Sequence, residues 1–369
     1  MRFAHNRFLA VLAACLVAGV GLPHHGFAQV SPAAGHASPD DTPALKVGAT
    51  IFADYTYNSS PATLDADSNR IHLNAFNVSR AYINITGNIS HLVGFRITPD
   101  ITRETGAGSS LNGSLTFRLK YAFGQLNLDG LSKGSWVRLG IQQTPWIDFE
   151  EGIYRYRFQG TVFSEREGFL SSADAGASFH YNLPSNFGDL HAGVYNGETY
   201  SKAEANNQKA IQVRGTLRPF ATAAPLLRGL RATVFYDGDH YLADAARSRL
   251  IGALTFEHAY LNAGFEYLTA RDRTRRTSPE IEGKGFSVWA TPKTTSGLEA
   301  LLRYDHFTPN TLQEDQTRNR FLGGIAYWFP HQGNVSSALM LDYEAATFDN
   351  FTPAAPDQRK IALHALINF

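Results

Sequence analysis

Cysteine is almost absent from this chain of 369 residues: there is one, Cys15, inside the first apolar stretch. A mature chain starting at Gln29 would have none, which excludes disulfides, thiolate metal sites and a cysteine nucleophile. Long apolar runs are missing too. Beyond Leu22 no stretch approaches the roughly 18 to 20 uninterrupted apolar residues that a membrane-spanning helix needs, so any crossing of a bilayer must use strands. Neither sign of charge is in excess, with Lys plus Arg and Asp plus Glu at 33 each, which argues against a nucleic-acid-binding protein. A Gly-rich phosphate loop, a paired-histidine helix and a CxxC are all lacking, so no metal, no cofactor and no enzymatic constellation is expected.

At the N-terminus, Arg2 and Arg7 precede an apolar run from Phe8 to Leu22, and Gly26-Phe27-Ala28 places small residues at a cleavage point. This is the layout of a secretory signal peptide over residues 1–28. A lipoprotein signal at Leu12-Ala13-Ala14-Cys15 is the rival, disfavoured because Leu16, Val17 and Val20 stay apolar beyond the cysteine. Losing Arg2 and Arg7 leaves 31 cations against 33 anions. Residues 29–44, rich in Ala, Ser and Pro, read as a flexible periplasmic leader. One domain, 45–369, follows.

Within it, segments of about ten residues alternate in polarity between turn signals, as transmembrane barrel strands do. Lys360 to Phe369 shows the rhythm: Ile361, Leu363, Ala365, Ile367 and Phe369 share one face, and Lys360, Ala362, His364 and Asn368 the other. Leu115, Phe117, Leu119, Tyr121 and Phe123 likewise alternate with Thr116, Arg118, Lys120, Ala122 and Gly124, and two cations in one face exclude a dry core there. Sixteen strands result, the last ending on Phe369. Connections alternate between brief and long, as in barrels with short periplasmic turns and long outer loops. An open sheet edge cannot persist in hydrocarbon, so the fold class is all-β, a 16-stranded antiparallel transmembrane barrel, wide enough for an aqueous channel. Aromatics near strand ends, including Tyr55, Tyr57, Phe123, Tyr181, Tyr267, Tyr327, Trp328, Phe329 and Phe369, fit girdles at both interfaces, although strand propensity alone also favours aromatics.

The longest connection, Thr144 to Ala173, is the third outer loop, and its aromatics and charges are mixed: Trp146, Phe149, Glu150, Glu151, Tyr154, Arg155, Tyr156, Arg157, Phe158, Phe163, Glu165, Arg166. So apolar a segment is expected to fold into the lumen, with rings on the wall and opposed charges forming a constriction.

Gly140-Ile141-Gln142-Gln143-Thr144-Pro145-Trp146, a glutamate soon after at Glu150 or Glu151, and Asp174-Ala175-Gly176 resemble the phosphate-selective porin O/P family. The resemblance covers most of the mature chain on short motifs. It implies a homotrimeric outer-membrane channel of a Gram-negative bacterium, with lipid and small hydrophilic solutes or anions as its partners. Basic residues would guide anions: Arg155, Arg157 and Arg166 in the loop, and Arg118, Lys120, Arg138, Arg214 and Arg218 on the wall. Arg303, also a wall position, has Asp305 or Glu299 within reach for pairing. The family's arginine before Asp-x-Gly is replaced by Ala173, and the third loop holds four glutamates against three arginines, which weighs against a phosphate preference.

Other readings compete. A pore for sugars would use Trp146, Tyr154 and Tyr156 as stacking surfaces, and a plugged barrel would serve as an adhesin or scaffold. Asp237-Gly238-Asp239-His240 suits either a calcium site at the rim or, more in keeping with its spacing, a turn. Ser178 and His180 share a strand face opposite Ala177, Phe179 and Tyr181, which reads as polar pore lining and not as a lipase pair, and His191 and His364 read as isolated wall residues.

Overall fold

The computed structural model describes residues 43–223, 226–313, 315–331 and 335–369. The expected signal peptide, the lipoprotein alternative and all of the leader but Pro43 and Ala44 lie outside the described residues. The chain opens with β1 (Ala44–Ser60), a small hairpin of β2 (Thr63–Leu64) and β3 (Arg70–Ile71), then β4 (Asn74–Asn88), β5 (Val93–Arg103), β6 (Leu115–Asn127) and β7 (Trp136–Gln143). Two helices follow, α1 (Pro145–Tyr154) and α2 (Phe163–Arg166). Then come β8 (Ala173–Asn182), β9 (Gly188–Tyr195), β10 (Ala210–Leu217), β11 (Leu230–Leu242), β12 (Ala245–His258) and β13 (Leu261–Asp272). The chain finishes with β14 (Ile281–Pro292), β15 (Leu298–Thr308), β16 (Thr317–Trp328), β17 (Ser336–Asp349) and β18 (Gln358–Asn368).

β1 and β4 to β18 form a closed barrel of sixteen antiparallel strands. β1 seals the ring on β18, with Tyr57 opposite Ile361 and Thr50 opposite Asn368. Closure follows from the alternation: outward side chains such as Val47, Phe117, Leu139, Val234, Ile325 and Leu341 are exposed and apolar, and a sheet bearing such a belt needs every edge amide paired. Leu341, near the middle of β17, is 58% exposed and flanked by Ile325 and Leu363. Leu341→Arg is expected to cost about 2–4 kcal/mol, the value for arginine on a lipid face at midplane. Urea titration of the protein in lipid vesicles measures this, and an unchanged midpoint would mean that this face does not meet hydrocarbon.

All sixteen expected strands are present, but one changes face. Thr98 pairs with Tyr121 and Pro99 with Leu119, which leaves Lys120 as the extra residue of a bulge. Pro99 has no N–H for the ladder, so a bulge is a natural outcome there. From Tyr121 onward the alternation in β6 is inverted. Tyr121 and Phe123, expected outside, point into the barrel and are buried, and Phe123 leaves the expected aromatic girdle, as does inward-facing Trp328. Asp237 to His240 also departs from expectation. The segment continues β11 instead of forming a turn, Asp237 and Asp239 face inward, and the hairpin to β12 takes only residues 243–244. No group of His, Cys, Asp and Glu that could hold a metal ion occurs among the described residues.

Candidate functional site

Local chemistry steers the third loop into the barrel. Gly140 adopts φ 125°, and a Cβ there would lie 2.3 Å from the Ala122 carbonyl oxygen, so the backbone of β7 runs close to β6 just before the loop begins. A Cβ on Gly176 would lie 2.2 Å from the Val194 carbonyl oxygen. Gln142 donates to the Gly176 carbonyl at 2.9 Å and accepts from the Ser178 hydroxyl at 2.5 Å. The Thr144 hydroxyl donates to the Ser171 carbonyl, which ties the two ends of the loop together. The residues of the two short motifs are therefore a frame that holds the loop's ends. Ser178 belongs to that frame, and His180 bonds Asp189 at 3.2 Å.

Pro145 supplies the fixed φ that suits a helix's first turn, and α1 ends at Arg155 in a left-handed conformation, φ 66°. That turn sends the chain across the lumen. Trp146 meets Phe235 of β11 at 5.9 Å between ring centroids, Tyr154 meets Trp289 of β14 at 5.2 Å, Tyr156 and Phe158 meet Trp328 of β16, and Phe163 returns against Phe307 of β15. All but the tilted Trp146–Phe235 pair are edge-to-face, and such pairs add about 0.5–1.5 kcal/mol each beyond their area. The inner wall they cover is apolar: Phe235, Ile251, Leu268, Leu301 and Leu322 are fully buried.

Polar wall residues clamp the loop backbone. Arg214 donates to the Pro145 carbonyl at 2.9 Å, Asn262 to Ile153 at 2.8 Å, and Arg303 to Thr161 at 2.9 Å. Arg303 also grips Asp305 at 2.8 Å, as the spacing suggested. The loop's own arginines are spent on ion pairs: Arg155 with Glu299 at 3.3 Å, Arg166 with Glu344 at 3.1 Å, and Arg157 with Glu151 at 2.5 Å and Glu165 at 3.3 Å. Tyr156 donates to Glu299 at 2.9 Å and Gln159 to Glu344 at 3.3 Å. Arg155 and Arg166 are thus anchors. Of the three loop arginines, Arg157 is the one near the opposite wall.

That wall, β4 to β7, carries a basic strip. Arg80 and Arg118 share Asp100 at 2.9 and 3.7 Å and are about a quarter exposed, while Lys120 donates to the Tyr82 hydroxyl at 3.0 Å. Arg138 lies 3.6 Å over the Trp136 ring and donates to Gln125 at 2.8 Å and Gln143 at 3.3 Å, so these hydrogen bonds go to neutral partners. Facing the strip, burial works against ionisation of Glu165, but Arg157, Lys120 and Arg80 hold its carboxyl below the usual range. Burial pushes Glu151 up, with Arg157 opposing. Arg218, assigned to the wall on sequence, lies past the end of β10 and bonds the Asn186 side chain at 2.7 Å and the Arg228 carbonyl at 3.2 Å, in the connections at the short-turn end.

Arg80, Glu266 and Glu344 escaped the sequence reading as site residues, and Glu299, foreseen as a possible partner of Arg303, pairs with Arg155 instead. Glu266 and Glu344 are carboxylates at inward positions near buried apolar residues such as Leu268, Met340 and Ala346, and a charge in that setting is the available signal.

No protein-family model matches the sequence, the O/P family included, and no curated protein matches it. Solved structures do match in shape. An anion-selective porin from Comamonas acidovorans has TM-score 0.61 at 11% identity, over 89% of this chain and all of that one. The outer-membrane protein OmpT of Vibrio cholerae has TM-score 0.61 at 12% identity, over 90% of this chain and all of that one. The outer-membrane channel DcaP of Acinetobacter baumannii has TM-score 0.58 at 12% identity, over 91% of this chain and all of that one. At this identity the likeness establishes a shared fold, the closed outer-membrane β-barrel.

Proposed function

We propose that the chain is an outer-membrane porin of a Gram-negative bacterium, through which small hydrophilic solutes diffuse passively past a constriction set by the third loop, with a preference for anions. The observation that carries this reading is the sidedness of the loop. One side is clamped to an apolar wall, and the other presents Glu151, Arg157 and Glu165 to Lys120 and Arg80, with Arg118 beside Arg80 on Asp100. Around that gap four cations meet the carboxylates of Asp100, Glu151 and Glu165, and burial discourages ionisation of Glu151. A positive field focused between low-dielectric walls favours anions. The anion-selective Comamonas barrel lends support.

Reconstitution in planar bilayers tests the reading: stepwise ionic current is expected, with a reversal potential toward anions under a potassium chloride gradient. Arg118→Glu, which changes the field without touching a loop anchor, is expected to move that potential toward cations, and an unmoved potential would remove the strip from the permeation path. Low-concentration phosphate block of the chloride current would specify phosphate among the anions, and indifference to phosphate would leave a general pore. Trp146, Tyr154 and Tyr156 are fully buried against the wall and offer sugars no stacking surface. The second reading, a plugged scaffold, draws on the coverage of Lys120 and Arg138, which are 3% and 2% exposed, and predicts no current. A trimer, implied by the family resemblance, is testable by mass measurement of the detergent-extracted protein.

A further inference from the structure

Where α1 seats on the wall, two acidic side chains meet. Glu150 of α1 and Glu266 of β13 are in carboxyl-to-carboxyl contact, and both are buried. Glu150 Oε2 and both Glu266 oxygens have no hydrogen-bond donor among the described residues. The nearest cation is occupied: Arg303 of β15 is taken by Asp305 and by the Thr161 carbonyl. From the other strands under α1, Arg214 of β10 is bonded to the Pro145 carbonyl and to Asp189 of β9. On α1 itself, Glu151 is held by Arg157. Two carboxylates so placed cannot both carry charge without strong repulsion, whereas one shared proton supplies the missing donor.

We propose that Glu150 and Glu266 form a proton-operated latch on the third loop: with a proton shared between them α1 stays seated on the wall, and with both ionised it is driven off. Burial raises the Glu150 carboxyl, in a segment that does not itself span the membrane. The sign follows: a raised group stabilises the seated loop below its ordinary value of about 4.3, and that stabilisation is lost as pH rises through the raised value. The loop is therefore held in acid and released toward neutrality. Only the effect on current rests on reading the loop as the constriction.

The test is thiol labelling of Ile147→Cys, at a fully buried position of α1 itself. The maleimide rate, corrected for thiolate fraction and for the parent chain as blank, is followed from about pH 4 to about pH 8, upward from the ordinary glutamate value. The expected result is a rise of up to about tenfold per pH unit as one proton leaves. Glu266→Gln, whose amide donates to Glu150 at every pH, should remain slow throughout, and Glu150→Gln likewise. A flat rate in the parent background, or the same rise in Glu266→Gln, overturns the latch, as does a change driven by added calcium at constant pH, which would make the pair a cation site. Bilayer current recorded alongside separates the two claims. Current with flat labelling sinks the latch and keeps the pore, and pH-dependent labelling without current keeps the latch and sinks the pore.

Discussion

Replacing residues 146–170 by two glycines is expected to raise the unitary conductance several-fold and to weaken or abolish anion preference. The cut is geometrically mild, because Thr144 already bonds the Ser171 carbonyl and its backbone N–H donates to Ser172 at 3.3 Å. Its electrical effect is large, because it widens the lumen to the wall and spreads the field of Arg80 and Lys120, and this outweighs the loss of Glu151 and Glu165 along with Arg157. The barrel should close without the loop, since its ring of strand pairs runs from β1 to β18 with no loop residue in it. Stability should nevertheless fall. Phe235, Ile251, Leu268, Trp289, Leu301 and Leu322 would face water, and a side chain of that size contributes about 1.5–3 kcal/mol when fully buried. Thermal unfolding should therefore begin at lower temperature, and an apolar dye should bind the deleted form where it does not bind the parent. Unaltered conductance would show that the loop is not the narrowest point.

The strand count was legible because each crossing repeats one simple physical demand, apolar outward and polar inward, and repetition averages out local errors. What escaped depended on single events or on distant partners. The bulge at Lys120 is a backbone event, and one extra residue inverted Tyr121 and Phe123 while leaving their hydrophobicity unremarkable. The hairpin at residues 243–244 hid behind Asp237-Gly238-Asp239, whose composition favours a turn although its charges face the lumen. The loop's burial was readable from its aromatics. Its arginines were not readable as anchors, because Glu299 is 144 residues from Arg155 and Glu344 is 178 from Arg166. The apolar inner wall did leave a trace: β11, β13 and β15 carry large apolar residues on both faces, as strands buried on both sides do.

That wall makes its buried acids matter, and Glu344 most of all. It is 5% exposed and receives Arg166 at 3.1 Å, Lys360 at 3.2 Å, Gln159 at 3.3 Å, and Arg320. Two of these partners belong to the loop and two to the strands on either side of β17, so a single carboxylate joins loop to barrel. Glu344→Gln keeps the shape and removes the charge, leaving three cations in mutual repulsion around a neutral amide. Breaking a buried pair by deleting one partner costs about 3–5 kcal/mol, and Lys360, a third exposed, recovers part of that through water. The cost falls on the seated loop more than on the barrel, because Arg320 and Lys360 can turn toward solvent while Arg166 and Gln159 can do so only by lifting the loop's tip. The expected result is a conductance that flickers between the parent level and the higher level of the loop deletion, with global unfolding shifted less than in Leu341→Arg. Adding Arg166→Gln to Glu344→Gln should restore part of the steady low level, since it removes one of the stranded cations. A steady parent-like current in Glu344→Gln alone would mean that the aromatic contacts on Trp289 and Trp328 suffice to hold the loop.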